Sequence, residues 1–249
     1  MKKILIRADD LGYSEGVNYG IAKSVKDGFI RTVGVMTNMS TVNQGLNLLK
    51  GTNICYGLHI NICVGKPLTN PRLIPSITNT DGCFKTSAEY RRARQDFVNL
   101  EEVIIEIEAQ YRRFIELTGE KPRYFDGHAI SSVNFFKGLE IVAEKYDLKY
   151  SGMSTAGEVM IVGNTKVHMW MESMYNDYDP VKTLKKMVLH AHEGDCDVLV
   201  CHPGYLDSYL LRRSSLTIPR TLEVEMACNS ELEKWLHSQP ITLVTYDDL

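Results

Sequence analysis

The sequence predicts an α/β fold, a (β/α) barrel of about seven to eight parallel strands, and three observations lead there. Short apolar, β-branched runs alternate with stretches whose apolar residues recur at helical spacing, the pattern of a parallel sheet covered by helices. The length, 249 residues, matches one such barrel. No linker-like composition shift, internal repeat or low-complexity segment divides the chain, so residues 1–249 read as a single domain.

The elements follow in order. Residues 4–8 form a buried strand that runs into Asp9-Asp10 and then a glycine turn. Ser14 caps a helix carrying Val17, Ile21 and Val25, which Gly28 ends. Residues 32–36 read as a strand and 40–49 as a short helix, with Leu46 and Leu49 as its buried positions. Residues 54–60 are a third strand, with His59 near its end. From 61 to 86 the pattern dissolves into Gly, Pro, Asn and Thr, a long loop of the kind that usually carries function.

Ser87 then caps one long amphipathic helix with Phe97, Leu100, Ile104, Ile107, Tyr111, Phe114 and Leu117, closed by Gly119. The charge run Arg91-Arg92-Ala93-Arg94 within it reads as a solvated face. Residues 122–125 form a strand entering Asp126-Gly127-His128. A helix from Asn134 carries Leu139, Val142 and Tyr146, and 148–151 make a short strand. The stretch 154–178 is the least legible, with 166–171 as one further strand. Asp179-Pro180 starts a helix whose stripe is Val181, Leu184, Val188 and Ala191. Residues 197–201 are a buried strand ending in His202-Pro203-Gly204-Tyr205. A helix over 219–236 and a strand over 241–245 close the chain.

Composition excludes several function classes. The formal net charge of −3 gives no electrostatic reason for a nucleic-acid or anionic-membrane partner. The basic N-terminus lacks the apolar core of a signal peptide, and no apolar run approaches the roughly 18 residues that span a bilayer. The six cysteines form no C-x-x-C pair and read as reduced thiols of a cytoplasmic protein. Cys55 and Cys201, in apolar runs, read as core residues.

The residues that carry chemistry stand at strand ends: Asp9-Asp10, His59, Asp126 with His128, and His202. Adjacent carboxylates repel, so a cation or a shared proton is the natural way to keep both. Each histidine alone has a plainer reading: His59 as a hydrogen-bonded core residue, His128 as part of a turn, His202 as a satisfied loop residue. The histidines at 168, 190, 192 and 237 lack this placement. In a barrel, however, all strand C-termini meet on one face. One carboxylate and two imidazoles are the ligand set of Zn²⁺ or a similar divalent ion with open positions. A second carboxylate and a further histidine then supply a base and an acid.

Four motifs make the chain recognisable: Arg7-Ala8-Asp9-Asp10-Leu11-Gly12-Tyr13-Ser14, Gly57-Leu58-His59-Ile60-Asn61, Phe125-Asp126-Gly127-His128 and Cys201-His202-Pro203-Gly204-Tyr205. With Gly65-Lys66-Pro67-Leu68, Asp81-Gly82-Cys83-Phe84, Arg220 with Glu223, and Leu243-Val244-Thr245-Tyr246, they resemble the YdjC-like carbohydrate deacetylases over nearly the whole chain. The resemblance implies a distorted (β/α) barrel and metal-dependent removal of an N-acetyl group from a sugar or short oligosaccharide. It implies Asp10, His59 and His128 as metal ligands, Asp9 as general base and His202 as acid. Asp126, Asn61 and Arg220 are then supporting or substrate-binding residues. Arg220 either orients a catalytic group or makes a surface salt bridge with Glu223. The resemblance implies Mg²⁺, whereas the ligand type suits Zn²⁺. It also implies a small carbohydrate as partner, and a homodimer.

The family commonly carries further histidines two and four residues beyond the ligand in its Asp-x-His motif. Here Ile130 and Ser132 occupy those positions, so the pocket lining differs. Two alternatives fit the same residues. Two histidines and a carboxylate also describe a non-haem Fe(II) oxygenase, a class that generally sits on β-sandwiches. A non-catalytic sugar-binding or regulatory relic of the same fold is the other.

Overall fold

The computed structural model describes residues 1–152 and 159–249. Of the stretch that is hardest to read from sequence, residues 154–158 therefore lie outside the described ones. The first half of the chain gives β1 (Lys2–Leu11), α1 (Glu15–Lys26), β2 (Thr32–Val35), α2 (Val42–Leu48) and β3 (Cys55–Ile60). After a long loop come α3 (Ser87–Arg92), α4 (Leu100–Thr118), β4 (Phe125–Gly127) and α5 (Val133–Tyr146). The last part holds β5 (Met160–Val162), β6 (Thr165–Trp170), α6 (Pro180–Leu189), β7 (Cys196–Cys201), α7 (Ser208–Arg213), α8 (Ile218–Ala227), α9 (Ser230–Ser238) and β8 (Ile241–Leu243). This is the α/β class, with a mostly parallel sheet, that the alternation of strands and helices predicts, although β5 is antiparallel rather than parallel.

The described residues group into two compact units. The first comprises Met1–Gly34, Ser40–Tyr56 and the described part of Ser154–Leu249. Its strands run in the order β2-β1-β7-β6-β5, with β8 also on β1. β1 is parallel to β7 and β8, and β6 is parallel to β7, while β5 returns antiparallel on β6. Ile4 to Leu11 are buried without a break, as expected of a parallel strand covered on both faces. The register pairs Ala8 with Cys201, so Asp9 on β1 and His202, just past the end of β7, each follow a paired residue.

The second unit comprises Val35–Met39 and the described part of Gly57–Met153. Here β3 runs parallel to β4, with His59 opposite Asp126. α4 and α5 pack on each other and α5 packs on β4. Phe125, Phe135, Leu139, Ile107 and Phe114 are buried in this core.

Several expectations need correcting. The long helix from Ser87 is two helices: Thr86 caps α3, and Asn99 caps α4 by accepting the Glu101 and Glu102 N–H groups. The closing helix is likewise broken, with Asn229 capping α9. α7 and β5 went unseen, and 148–151 contributes only a single bridge from Tyr150 to Phe125. In α2 the buried positions are Val42 and Gly45, with Leu49 just beyond, while Leu46 is half-buried. The α6 stripe uses Pro180, Thr183, Leu184, Met187 and Val188, and Val181 is only half-buried. Arg91 to Arg94 are exposed. Among the described residues no helix is long and apolar enough to cross a membrane.

Candidate active site

In the first unit, Asp9 and Asp10 lie within the last three residues of β1 rather than beyond it. Asp10 has φ +79°, a left-handed conformation that costs a non-glycine residue on the order of 1–3 kcal/mol and persists where the surroundings dictate it. Each carboxylate has its own guanidinium. Arg7 Nη2 donates to Asp9 Oδ2 at 2.8 Å, and Arg220 Nη2 donates to Asp10 Oδ2 at 2.7 Å. All four side chains are at most 4 % exposed. Arg7 Nη1 also donates to the Tyr246 hydroxyl at 2.9 Å. The cation that the adjacent carboxylates call for is thus present in the chain itself, supplied twice.

Arg220 and Glu223 do not form the surface pair considered from sequence. Both are buried on α8, and the Arg220 ion pair is with Asp10. Glu223 Oε2 accepts the His202 backbone N–H at 2.6 Å, and Oε1 accepts the Tyr178 hydroxyl at 2.8 Å. Burial pushes the Glu223 carboxyl up to about 7, against the pull of these hydrogen bonds and of Arg220. His202 itself follows β7 directly and is half-buried. Cys201, just before it, is a buried thiol held well above its usual range by desolvation, and Cys55 is pushed up to about 11 for the same reason. Neither suits a nucleophile.

In the second unit, His59 Nδ1 meets Asp126 Oδ1 at 2.8 Å and His59 Nε2 meets His128 Nδ1 at 3.1 Å. All three side chains are buried. An aspartate on Nδ1 takes that N–H and leaves Nε2 with its lone pair, the arrangement found behind metal-ligating histidines. Asn61 organises the loop after β3: its Oδ1 accepts the Cys63 and Val64 N–H groups, and Nδ2 donates to the Val64 carbonyl and to Asn38 Oδ1. From α4, buried Gln110 brackets the Asn61 backbone, and Glu106 accepts the Leu68 and Thr69 N–H groups. Ile130 is core, and Ser132 caps α5 by accepting the Phe135 N–H. These two positions are spent on packing and capping.

Asp10 in the first unit and His59 and His128 in the second are all buried, and a carboxylate oxygen and imidazole nitrogens are donor types that divalent metal ions take. Sequence reasoning missed Arg7 and Gln110 as partners of the site residues Asp9 and Asn61, and Tyr178 as the partner of Glu223. For Arg7 a signal existed, since a charge inside an otherwise apolar strand must find a buried partner.

The comparisons with known proteins agree with one another. Residues 3–238 match the YdjC-like protein family. The chain is 30% identical to Carbohydrate deacetylase 2 of Listeria innocua serovar 6a, over 99% of this chain and 98% of that protein. It is 26% identical to a carbohydrate deacetylase of Clostridium beijerinckii, over 99% of this chain and all of that protein. Its fold is that of a crystal structure from Enterococcus faecalis V583, provisionally described as a cellobiose-phosphate cleavage protein. That likeness has a TM-score of 0.85 and 24% identity, and covers 99% of this chain and 98% of the other. The chain belongs to the YdjC-like family.

Proposed function

We propose that this protein is a metal-dependent carbohydrate deacetylase, which hydrolyses the N-acetyl amide of a small sugar to acetate and a free amine. Its curated relatives carry the name carbohydrate deacetylase. The observation that carries the reading is the inventory of buried groups. The buried side chains of Asp10, His59 and His128 are of the donor types a divalent ion takes, and buried Asp9 and half-buried His202 remain over as a carboxylate and an imidazole. Amide hydrolysis needs both: a base for the water proton and an acid for the departing nitrogen.

When bound, a divalent ion supplies positive charge for the carbonyl oxygen and lowers the pKa of water. The two imidazoles favour a borderline ion such as Zn²⁺ over Mg²⁺, which prefers oxygen ligands. Asp9, fixed by Arg7, takes a proton from the attacking water. The new carbon–oxygen bond forms, the carbon–nitrogen bond breaks, and His202 gives its proton to the leaving nitrogen.

The test couples elemental analysis of the purified protein to an acetate-release screen. The substrates are N-acetylated mono-, di- and oligosaccharides and a phosphorylated disaccharide. One divalent ion per chain, with acetate release that a chelator abolishes and added metal restores, is the expected result. Stoichiometric sugar binding without acetate from any substrate would make the protein a binding relic instead. Redox-active iron with oxygen uptake would make it an oxygenase.

A further inference from the structure

Glu223 takes no part in the steps above, yet it is fully buried and both its oxygens are in use. Oε2 accepts the His202 backbone N–H at 2.6 Å, and Oε1 accepts the Tyr178 hydroxyl at 2.8 Å. One turn earlier on α8, Arg220 donates Nη1 to the His202 carbonyl at 3.3 Å and Nη2 to Asp10 Oδ2 at 2.7 Å. The Arg220 carbonyl in turn accepts the Gly204 N–H at 3.2 Å. The main chain of His202 is therefore gripped on both sides by side chains of one helix.

A backbone N–H needs only one neutral acceptor, and a buried charge costs several kcal/mol to desolvate. A carboxylate here is thus an expensive way to satisfy a strand end. What it adds in its ionised form is a short, charge-assisted bond with a fixed direction. Tyr178, from the segment before α6, holds the second oxygen and so fixes the carboxylate plane. Resting on the reading of His202 as proton donor, we propose that Glu223 is a positioning residue, which with Tyr178 sets the main chain of His202 so that its ring meets the departing amine.

The experiment uses the full chain with its metal and two substrates: N,N′-diacetylchitobiose, or the best amide from the screen, and 4-nitrophenyl acetate, whose leaving group needs no proton. Glu223→Gln keeps an acceptor oxygen but loses the charge. It is expected to lower kcat on the amide on the order of 10- to 100-fold with KM unchanged, as misplacement of a catalytic group does. The ester should be nearly unaffected. In a His202→Ala background the same substitution should cost nothing further on the amide. Tyr178→Phe, which keeps the carboxylate, should give a smaller loss in the same direction, and it carries the test if Glu223→Gln fails to fold.

Equal losses on amide and ester, or an undiminished loss in the His202→Ala background, would overturn the positioning role while leaving His202 as donor. His202→Ala with no selective loss on the amide would instead sink the donor reading, and this role with it.

Discussion

Asp9 and Asp10 are adjacent in sequence, but each is held by a different arginine, and the proposed function gives them different roles. Arg7 reaches Asp9 from the same strand, whereas Arg220 reaches Asp10 from α8. With Asp9 as base and Asp10 as ligand, Asp9→Asn is expected to cut acetate release by about 10²–10⁴-fold, the usual worth of a general base. Metal content should stay at the wild-type level. Asp10→Asn should lower metal occupancy itself, and activity only in proportion. Elemental analysis beside acetate release on both variants decides it, and equal metal loss in the two would mean the roles are shared. At this scale the strand-end residues were legible, because a polar residue closing an apolar run is visible in one dimension. The partners were not. Arg220 and Glu223 at i and i+3 look like any exposed helix pair, and nothing local says that both are buried.

The legibility of the elements followed the strength of their end signals. Ser14 and Asp179 cap α1 and α6 as read, each accepting an N–H three residues on. The breaks after α3 and after α8 were missed because apolar spacing continues across them: Val224, Ala227, Leu232 and Leu236 keep nearly one stripe through Cys228-Asn229. Only the capping asparagines mark the interruptions. β5 and α7, at three and six residues, are too short to show a period. Where elements approach closely, one residue carries the consequence. Gly20 on α1 faces Gly204, and a Cβ there would collide with the Gly204 backbone. Gly20→Ala must therefore push α1 away from the segment that follows His202. A loss of about 1–3 kcal/mol in denaturant unfolding is expected from such overpacking. A fall in kcat on the amide should accompany it, because His202 lies two residues from the contact. Unchanged unfolding and unchanged kcat would show that the segment gives way freely.

Over the whole molecule, the burial of Glu223 makes stability depend on pH in an unusual direction. Most of the shifted carboxyls, such as Glu172, Asp179 and Asp207, are lowered by hydrogen bonds, so their contribution is present at neutral pH and lost as pH falls. Glu223 goes the other way. Its ordinary value is 4.5, and burial raises it to about 7 in the folded protein. Between those values the folded state holds a proton that the unfolded chain has given up. The stabilisation is therefore complete below about pH 4.5 and is lost as pH rises through 7, at most about 3 kcal/mol for a shift of this size. Glu223→Gln cannot ionise and removes this dependence. Denaturant unfolding of both proteins at pH 5 and pH 8, with the same metal load, isolates the effect as a difference of differences. The wild type should lose more stability than the variant between the two pH values, by on the order of 1–3 kcal/mol. Parallel losses in the two proteins would mean that Arg220 and the two hydrogen-bond donors keep Glu223 ionised throughout, and that its burial is fully compensated.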